Sequence, residues 1–279
     1  MQVFDKKIAI QAYIEQLKKS GNTVGFVPTM GALHKGHISL IEAAKKECDI
    51  VVSSIFVNPT QFNDKNDYTR YPRTVDNDLR MLELAGCSIV FTPTEQEMYP
   101  EKDIRFFDLA GLDTRMEGAH RPGHFNGVAQ IVTKLFETVL PDKAFFGEKD
   151  FQQLAIIKHI TKQANLPIQI IGCPTLRETD GLAMSSRNTL LTQQERALAP
   201  KIYQVLTQLK KDINTFTLQE LCARALQELS AEPLFSPEYL EVVDSETLLP
   251  VFSKEKNKRV VVCTAVKLGN VRLIDNIIL

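Results

Sequence analysis

The stretch VGFVPTMGALHKGH, residues 24–37, decides how the rest of the chain is read. An apolar, β-favouring run from Val24 to Val27 leads into Pro28-Thr29-Met30-Gly31. Helical spacing follows at Ile38, Leu40, Ile41 and Ala44, so a strand is expected to pass through a tight loop into a helix over about residues 38–47. The first amides of that helix then point back over the carboxyl end of the strand, a place that binds anions and above all phosphate. His34 and His37 stand three residues apart on one side of the opening turn. The positive end of the helix dipole disfavours a protonated ring there, so neutral imidazoles donating N–H to phosphate oxygens are expected. The pair alone also suits a solvated helix start or half of a zinc site. Neither GxGxxG nor GxxxxGK[ST] occurs, so a phosphate site here is neither a dinucleotide fingerprint nor a P-loop.

Working outward, residues 6–19 read as an amphipathic helix ended by Ser20-Gly21-Asn22. Ile50 to Val57 is too continuously apolar for a half-exposed strand and reads as a parallel strand covered on both faces. It ends in Asn58-Pro59-Thr60-Gln61-Phe62 on the same carboxyl edge as the histidine loop, the edge along which open α/β sheets hold ligands. A helix over 74–85, a strand over 88–91, a long functional loop region with short strands over 98–126, a helix over 128–140, a strand over 143–146, a helix over 151–165 and a strand over 168–172 follow. This alternation predicts a doubly wound, Rossmann-like parallel sheet over residues 1–175. Beyond it, helices over 192–211 and 218–229 and strands over 239–243, 259–267 and 271–278, the last two joined by Leu268-Gly269-Asn270, predict a smaller α+β domain over 176–279.

At 279 residues the chain is near the length at which one core divides, which suits one large and one small domain. Lys plus Arg number 33 against 34 Asp plus Glu, so no overall field recruits nucleic acid or an anionic membrane, and a phosphate ligand must be held locally. The five cysteines include no CxxC pair, which suits buried thiols in a reducing compartment. The first twenty residues mix charge with apolar positions at helical spacing, unlike a signal peptide, and no run approaches bilayer length. A cytoplasmic protein is expected.

Three further polar clusters fall at predicted strand ends or at the domain junction. Gln61 follows a strand terminus, where it is either a ligand-binding amide or an ordinary loop residue. The run GEKDFQQ, 147–153, puts Lys149 and Asp150 at a helix start and Gln153 in its first turn; Asp150 also suits a simple cap and Lys149 a solvated charge. Met184-Ser185-Ser186-Arg187-Asn188 combines two hydroxyls with a guanidinium, a polyphosphate clamp or a surface loop ending in a cap. Together, two histidines, a lysine and the Ser-Ser-Arg run describe a nucleoside triphosphate site without a P-loop.

On these residues the chain resembles the pantothenate synthetase family, the pantoate:β-alanine ligases. The resemblance is carried by PTMGALHKGH (28–37), SIFVNPTQF (54–62), YPRT (71–74), RPGHFNGV (121–128), FFGEKDFQQL (145–154), DGLAMSSRN (180–188) and RLIDN (272–276). HxGH alone marks a wider nucleotidyltransferase group, and NPTQF with GEKDFQQ narrows it. The resemblance implies that ATP and pantoate give pantoyl adenylate and pyrophosphate, and that the amine of β-alanine then displaces AMP to give pantothenate. It implies ATP contacts from Met30, Gly31, Ala32, Leu33, His34, Lys35, Gly36 and His37, from Gly147, Glu148, Lys149 and Asp150, and from Leu176, Met184, Ser185, Ser186 and Arg187. Catalytic roles fall to His34, His37 (a proton donor) and Lys149, pantoate binding to Gln61 and Gln153, and magnesium is bound through the phosphates. A homodimer is implied, and a small second domain would act as a lid that keeps the adenylate from water. Lys35, where an acid is expected, and Asn77, which interrupts an acidic run, depart from the family pattern, so no carboxylate is assigned to metal. The rival readings are a nucleotidyltransferase that keeps the nucleotide in its product and a nucleotide-binding protein without turnover.

Overall fold

In the computed structural model, which describes residues 1–63, 65–253 and 259–279, the chain divides into two compact units. The first comprises 1–111, 121–148 and 156–174, and the second 112–120, 149–155 and 175–279. The second thus takes in two segments from earlier in the chain than residue 175, one carrying Glu117 and the other carrying Lys149, Asp150 and Gln153.

The first unit is built on β1 (Gln2–Phe4), β2 (Val24–Thr29), β3 (Ile50–Ile55), β4 (Ile89–Phe91), β5 (Lys143–Gly147) and β6 (Gln169–Cys173). All pair in parallel, in the order β1-β4-β3-β2-β5-β6. The helices in chain order are α1 (Lys7–Lys19), α2 (Lys35–Glu47), α3 (Lys65–Arg70), α4 (Val75–Ala85), α5 (Glu95–Met98), α6 (Met116–His120, in the second unit), α7 (His124–Val139) and α8 (Phe151–Gln163). From β2 the chain winds one way through β3 to β4 and then returns past β2 to β5. Right-handed crossovers therefore put α2 and α4 on one face and α1 and α7 on the other, and each pair packs together. Successive side chains of β2 serve opposite faces: Val27 joins Leu40, Ile41, Leu82 and Phe145, while Phe26 meets Phe136 of α7 with ring centroids 6.4 Å apart. This is the doubly wound, Rossmann-like sheet the alternation predicts.

In the second unit α9 (Gln193–Leu198), α10 (Lys201–Lys211) and α11 (Leu218–Ser230) accompany an antiparallel sheet of β7 (Phe235–Asp244), β8 (Val260–Leu268) and β9 (Val271–Ile278). Leu268 pairs with Val271, so Gly269-Asn270 is a two-residue hairpin turn, as its sequence predicts. Ile202, Val205, Leu209, Leu221, Val262 and Leu273 form the core of this unit, and α6 packs on β8.

Four local expectations are corrected. The second helix starts at Lys35 rather than near Ile38, because His34 caps it. The helix read over 192–211 is two helices: Pro200, which has no N–H to donate, separates α9 from α10. The 98–126 region, expected to carry short strands, instead holds the last residue of α5, all of α6 and the first residues of α7, with no strand among its described residues, and β1 adds an edge strand of three residues, too short to show a period.

Candidate active site

The sheet order reverses between β2 and β5, with Gly25 beside Lys143 and Phe26 beside Ala144. The loops that leave Thr29 and Gly147 therefore flank the switch point of the first unit, the place where such sheets bind ligands. The histidine loop is one of them.

Its backbone is tied down by a side chain that sequence reasoning passed over. Asp78, fully buried in the first turns of α4, accepts hydrogen bonds from the amides of Ala32 (3.0 Å) and Leu33 (2.8 Å) and from the Thr74 hydroxyl. Thr29 closes the other end, its hydroxyl donating to the Ser54 carbonyl at 2.6 Å and accepting from the Gly31 amide. Gly31 has φ +81, which glycine adopts without a Cβ penalty. An aspartate just inside a helix start ordinarily reads as an exposed helix-dipole acid, so its sequence position gave no sign of this role.

His34 is the N-cap of α2 and His37 its third residue, and the rings lie 4.1 Å apart by centroid. Nδ1 of His34 accepts from the Gly36 amide (3.1 Å), and Nδ1 of His37 accepts from the His34 amide (3.3 Å). An Nδ1 that accepts carries no proton, so both rings are neutral with the proton on Nε2. The loop thus holds two neutral N–H donors at a helix N-terminus. Lys35, between them, is exposed.

Gln61 stands at the end of a short 3₁₀ turn, Pro59–Gln61, that follows β3. It is buried, and its amide is oriented: Asn58 Nδ2 donates to Oε1 at 3.1 Å, and Gln61 Nε2 lies 3.1 Å from the Met30 sulfur. Asn58 also donates to the Gly127 carbonyl, and Tyr99 donates its hydroxyl to Asn58 Oδ1 at 2.7 Å. Burial, with the nearby charge of Asp103, pushes the Tyr99 hydroxyl up to about 12, so it keeps its proton as a donor. The Gln61 carbonyl contacts His124 Nδ1 at 2.6 Å, and His124 Nε2 contacts Arg121. A Cβ at Gly127 would collide with the Thr60 carbonyl, so α7 approaches the Gln61 turn closely only because residue 127 is glycine. The stretches NPTQF and RPGHFNGV are thereby two sides of one packed contact.

In the second unit Lys149 and Asp150 lie in a 3₁₀ turn that runs into α8, with the ammonium 3.8 Å from the Asp150 carboxylate. Gln152 and Gln153, adjacent in sequence, differ in role. Gln152 is buried and donates to the carbonyls of Leu112 and Arg115, whereas Gln153 is half-buried, on a different side of the helix. Leu176 and Met184 face each other across a turn, the Met184 amide donating to the Leu176 carbonyl. Ser185 then caps the 3₁₀ segment Ser186–Leu190 by accepting from the Arg187 amide at 3.2 Å. Ser185, Ser186 and Arg187 are all half-buried.

RLIDN supplies the anchors of these parts. Arg177, at the base of the turn, donates both Nη atoms to Asp275 at 2.7 and 2.9 Å and lies 3.6 Å over the Tyr203 ring. Asn276 donates to the Lys149 carbonyl at 2.9 Å, so two neighbouring residues of β9 hold the Ser-Ser-Arg turn and the Lys149 turn. Arg272 makes a bidentate pair with Glu117 at 2.6 and 2.7 Å and also reaches Glu238, while Tyr239 donates to Glu117. Burial, and then the Glu117 charge, raises Tyr239 well above its usual range. Among the described residues no group of three or more His, Cys, Asp or Glu side chains could hold a metal ion, and both Asp78 oxygens accept loop amides.

The chain matches the family model described as pantoate-beta-alanine ligase over residues 2–278. Among relatives, it is 49% identical over 277 residues to a pantothenate synthetase of Porphyromonas gingivalis, covering 99% of each chain. It is 52% identical over 268 residues to a pantothenate synthetase of Bacteroides fragilis, covering 96% of this chain and 95% of that one. Among solved structures, pantothenate synthetase from Thermus thermophilus superposes with a TM-score of 0.92 at 40% identity, 99% of each chain covered. A pantoate-beta-alanine ligase from Francisella tularensis, complexed with beta-gamma ATP and beta-alanine, gives a TM-score of 0.82 at 37% identity, covering 99% of this chain and 97% of that one. With its sheet, its histidine loop and its whole length matched in this way, the chain belongs to the pantoate–β-alanine ligase family.

Proposed function

We propose that this chain condenses pantoate with β-alanine at the expense of ATP, releasing AMP and pyrophosphate through a pantoyl adenylate. The observation that carries the reading is the pair of neutral, Nε2-protonated imidazoles at the N-terminus of α2, beside the switch point of the sheet. Attack by a carboxylate on the α-phosphorus needs repulsion between anions relieved and charge on the phosphate oxygens met by fixed donors. In this reading His34 and His37 donate Nε2–H hydrogen bonds to phosphate oxygens, His37 meeting the charge that develops on the leaving pyrophosphate. The loop from Met30 to His37 binds the nucleotide through backbone groups that Asp78 keeps in place. Lys149, Ser185, Ser186 and Arg187, all of the second unit, bind phosphate oxygens, and Leu176, Met184 and the run Gly147 to Asp150 complete the nucleotide contacts.

Gln61 and Gln153 hold pantoate. A neutral amide grips its oxygens without forming an ion pair that would quench the nucleophilic carboxylate. Magnesium is bound through the phosphates, which suits an ion that keeps its waters and takes few protein ligands. A cytoplasmic homodimer completes the proposal. The cysteine pattern of a reducing compartment supports the location, and no helix among the described residues is long and apolar enough to cross a membrane.

The test is to supply ATP, magnesium, pantoate and β-alanine and to assay pantothenate and AMP. Formation of both, with pyrophosphate exchange into ATP that depends on pantoate, is expected. Pantoate-independent exchange with no release of AMP on adding β-alanine would refute the ligase reading in favour of a nucleotidyltransferase.

A further inference from the structure

From the Gln61 turn a line of hydrogen bonds runs through the first unit to Tyr99. Its sense is fixed at the middle. Asn58 stands 3.1 Å from the Gly127 carbonyl, and a carbonyl only accepts, so the NH₂ end of Asn58 must face it. The same NH₂ group donates its second hydrogen to Gln61 Oε1 at 3.1 Å. Asn58 Oδ1 therefore points the other way, where the Tyr99 hydroxyl donates to it at 2.7 Å and the Thr60 hydroxyl at the longer distance of 3.2 Å. Asn58 is 1% exposed, so bulk water does not replace a lost partner. The Tyr99 ring is itself held in place: the Lys134 ammonium lies 5.0 Å from its centroid and pairs with Asp103 at 3.2 Å.

The other end of the line sets what Gln61 can offer. Its Oε1 is taken by Asn58, and its Nε2 lies 3.1 Å from the Met30 sulfur, a weak acceptor that uses one of two hydrogens. What is left of the amide is an N–H donor. A ligand that meets it must bring an oxygen lone pair, as a carboxylate or a hydroxyl does.

We propose that Tyr99 is a positioning residue for pantoate: its hydroxyl, acting through Asn58, holds the Gln61 amide with its NH₂ towards the substrate's oxygens. This role rests on the ligase reading, in which Gln61 holds pantoate. An Asn58 amide that turned over would set its oxygen against the Gly127 carbonyl and leave Gln61 Oε1 without its donor, so the Gln61 amide could turn as well. A turned Gln61 presents an oxygen to an anionic substrate and repels it. The Tyr99 bond is the shortest in the line and opposes that rotation, while Thr60 supplies a weaker second donor, so removing the Tyr99 hydroxyl weakens pantoate binding without abolishing it.

The test is a double-mutant cycle read in pantoate-dependent pyrophosphate exchange. Tyr99→Phe keeps the ring beside Lys134 and removes only the hydroxyl. It is expected to raise KM for pantoate about 10-fold, the scale of a buried acceptor that loses its donor, with KM for ATP within about twofold of the parent. Gln61→Leu is expected to raise KM for pantoate at least as far. Adding Tyr99→Phe to Gln61→Leu is expected to change it no further, because the hydroxyl acts only through that amide, whereas a merely structural role would make the two effects multiply. Multiplying effects, or a Tyr99→Phe protein with the parent's KM for pantoate, would overturn the proposal while leaving the ligase reading standing. A parent chain with no pantoate-dependent exchange would overturn the ligase reading and this role with it, so the two failures are told apart.

Discussion

Replacing Asp78 with Asn tests whether the histidine loop is set by one buried carboxylate. Asp78 is fully buried and accepts from two loop amides, Ala32 and Leu33, and from Thr74. A hydrogen bond to a charged acceptor is worth about 1.5–3 kcal/mol. Asn keeps one oxygen for one amide but turns an NH₂ towards the other, which loses that bond and leaves a buried N–H with no acceptor, a further penalty of about 1–3 kcal/mol. The sum, about 2.5–6 kcal/mol, corresponds at the lower end to a fall in Tm of roughly 5–10 °C. The loop cannot keep its place at that cost, and a displacement near 1 Å in a positioning element costs about 10²-fold in rate. Pantoate-dependent pyrophosphate exchange, measured well below the lowered Tm, should therefore drop about 10²-fold. Thr74→Val, which removes only the hydroxyl donor, should cost about 1 kcal/mol and leave most of the exchange rate. An Asp78→Asn protein with both Tm and exchange rate unchanged would refute the reasoning.

His37→Ala should fold normally and lose about 10²-fold or more in turnover, as when a transition-state charge stabiliser is removed; single-turnover adenylate formation measures it. Gly127→Ala sets a methyl group against the Thr60 carbonyl, so α7 and the Gln61 turn must separate, with a stability loss of about 1–3 kcal/mol and a raised KM for pantoate seen in steady-state kinetics. Arg272→Met leaves Glu117 buried beside Tyr239 without its cation, and urea unfolding should show a loss of about 3–5 kcal/mol. The Arg105 and Lys134 partners hold the Asp103 carboxyl well below the usual carboxylate range, against the opposing effect of burial. Its folded pKa lies below its unfolded value, so its contribution is complete above about pH 4 and is lost as pH falls further. Asp103→Asn should therefore flatten the acid limb of the stability curve in that window, which thermal melts at stepped pH would reveal.

What lay within reach of the sequence was whatever neighbouring residues decide among themselves. The change from the Val24–Val27 run to helical spacing after His37 announced the β2–α2 junction, because side-chain period is a property of consecutive positions. The alternation of runs that followed predicted the parallel sheet, and Leu268-Gly269-Asn270 the hairpin. Short stretches such as NPTQF, GEKDFQQ and RLIDN marked the family, and they also marked where polar groups would matter, though not what each would touch.

Only the tertiary structure decided those partners. Asp78 meets an amide 45 positions earlier, Asn58 a carbonyl 69 positions later, Arg177 a carboxylate 98 positions on, and Arg272 a carboxylate 155 positions back. Nothing local signals such pairs: an acid inside a helix start reads as an exposed helix-dipole acid, and an arginine in a strand as a solvated charge. The physical reason is that the value of a polar side chain depends on what surrounds it once water is excluded, and the strand order and crossovers set those surroundings. His34 shows the same division within four residues, for its place beside a helix was legible while its Nδ1 capping bond, and hence its neutral Nε2–H form, required the folded loop.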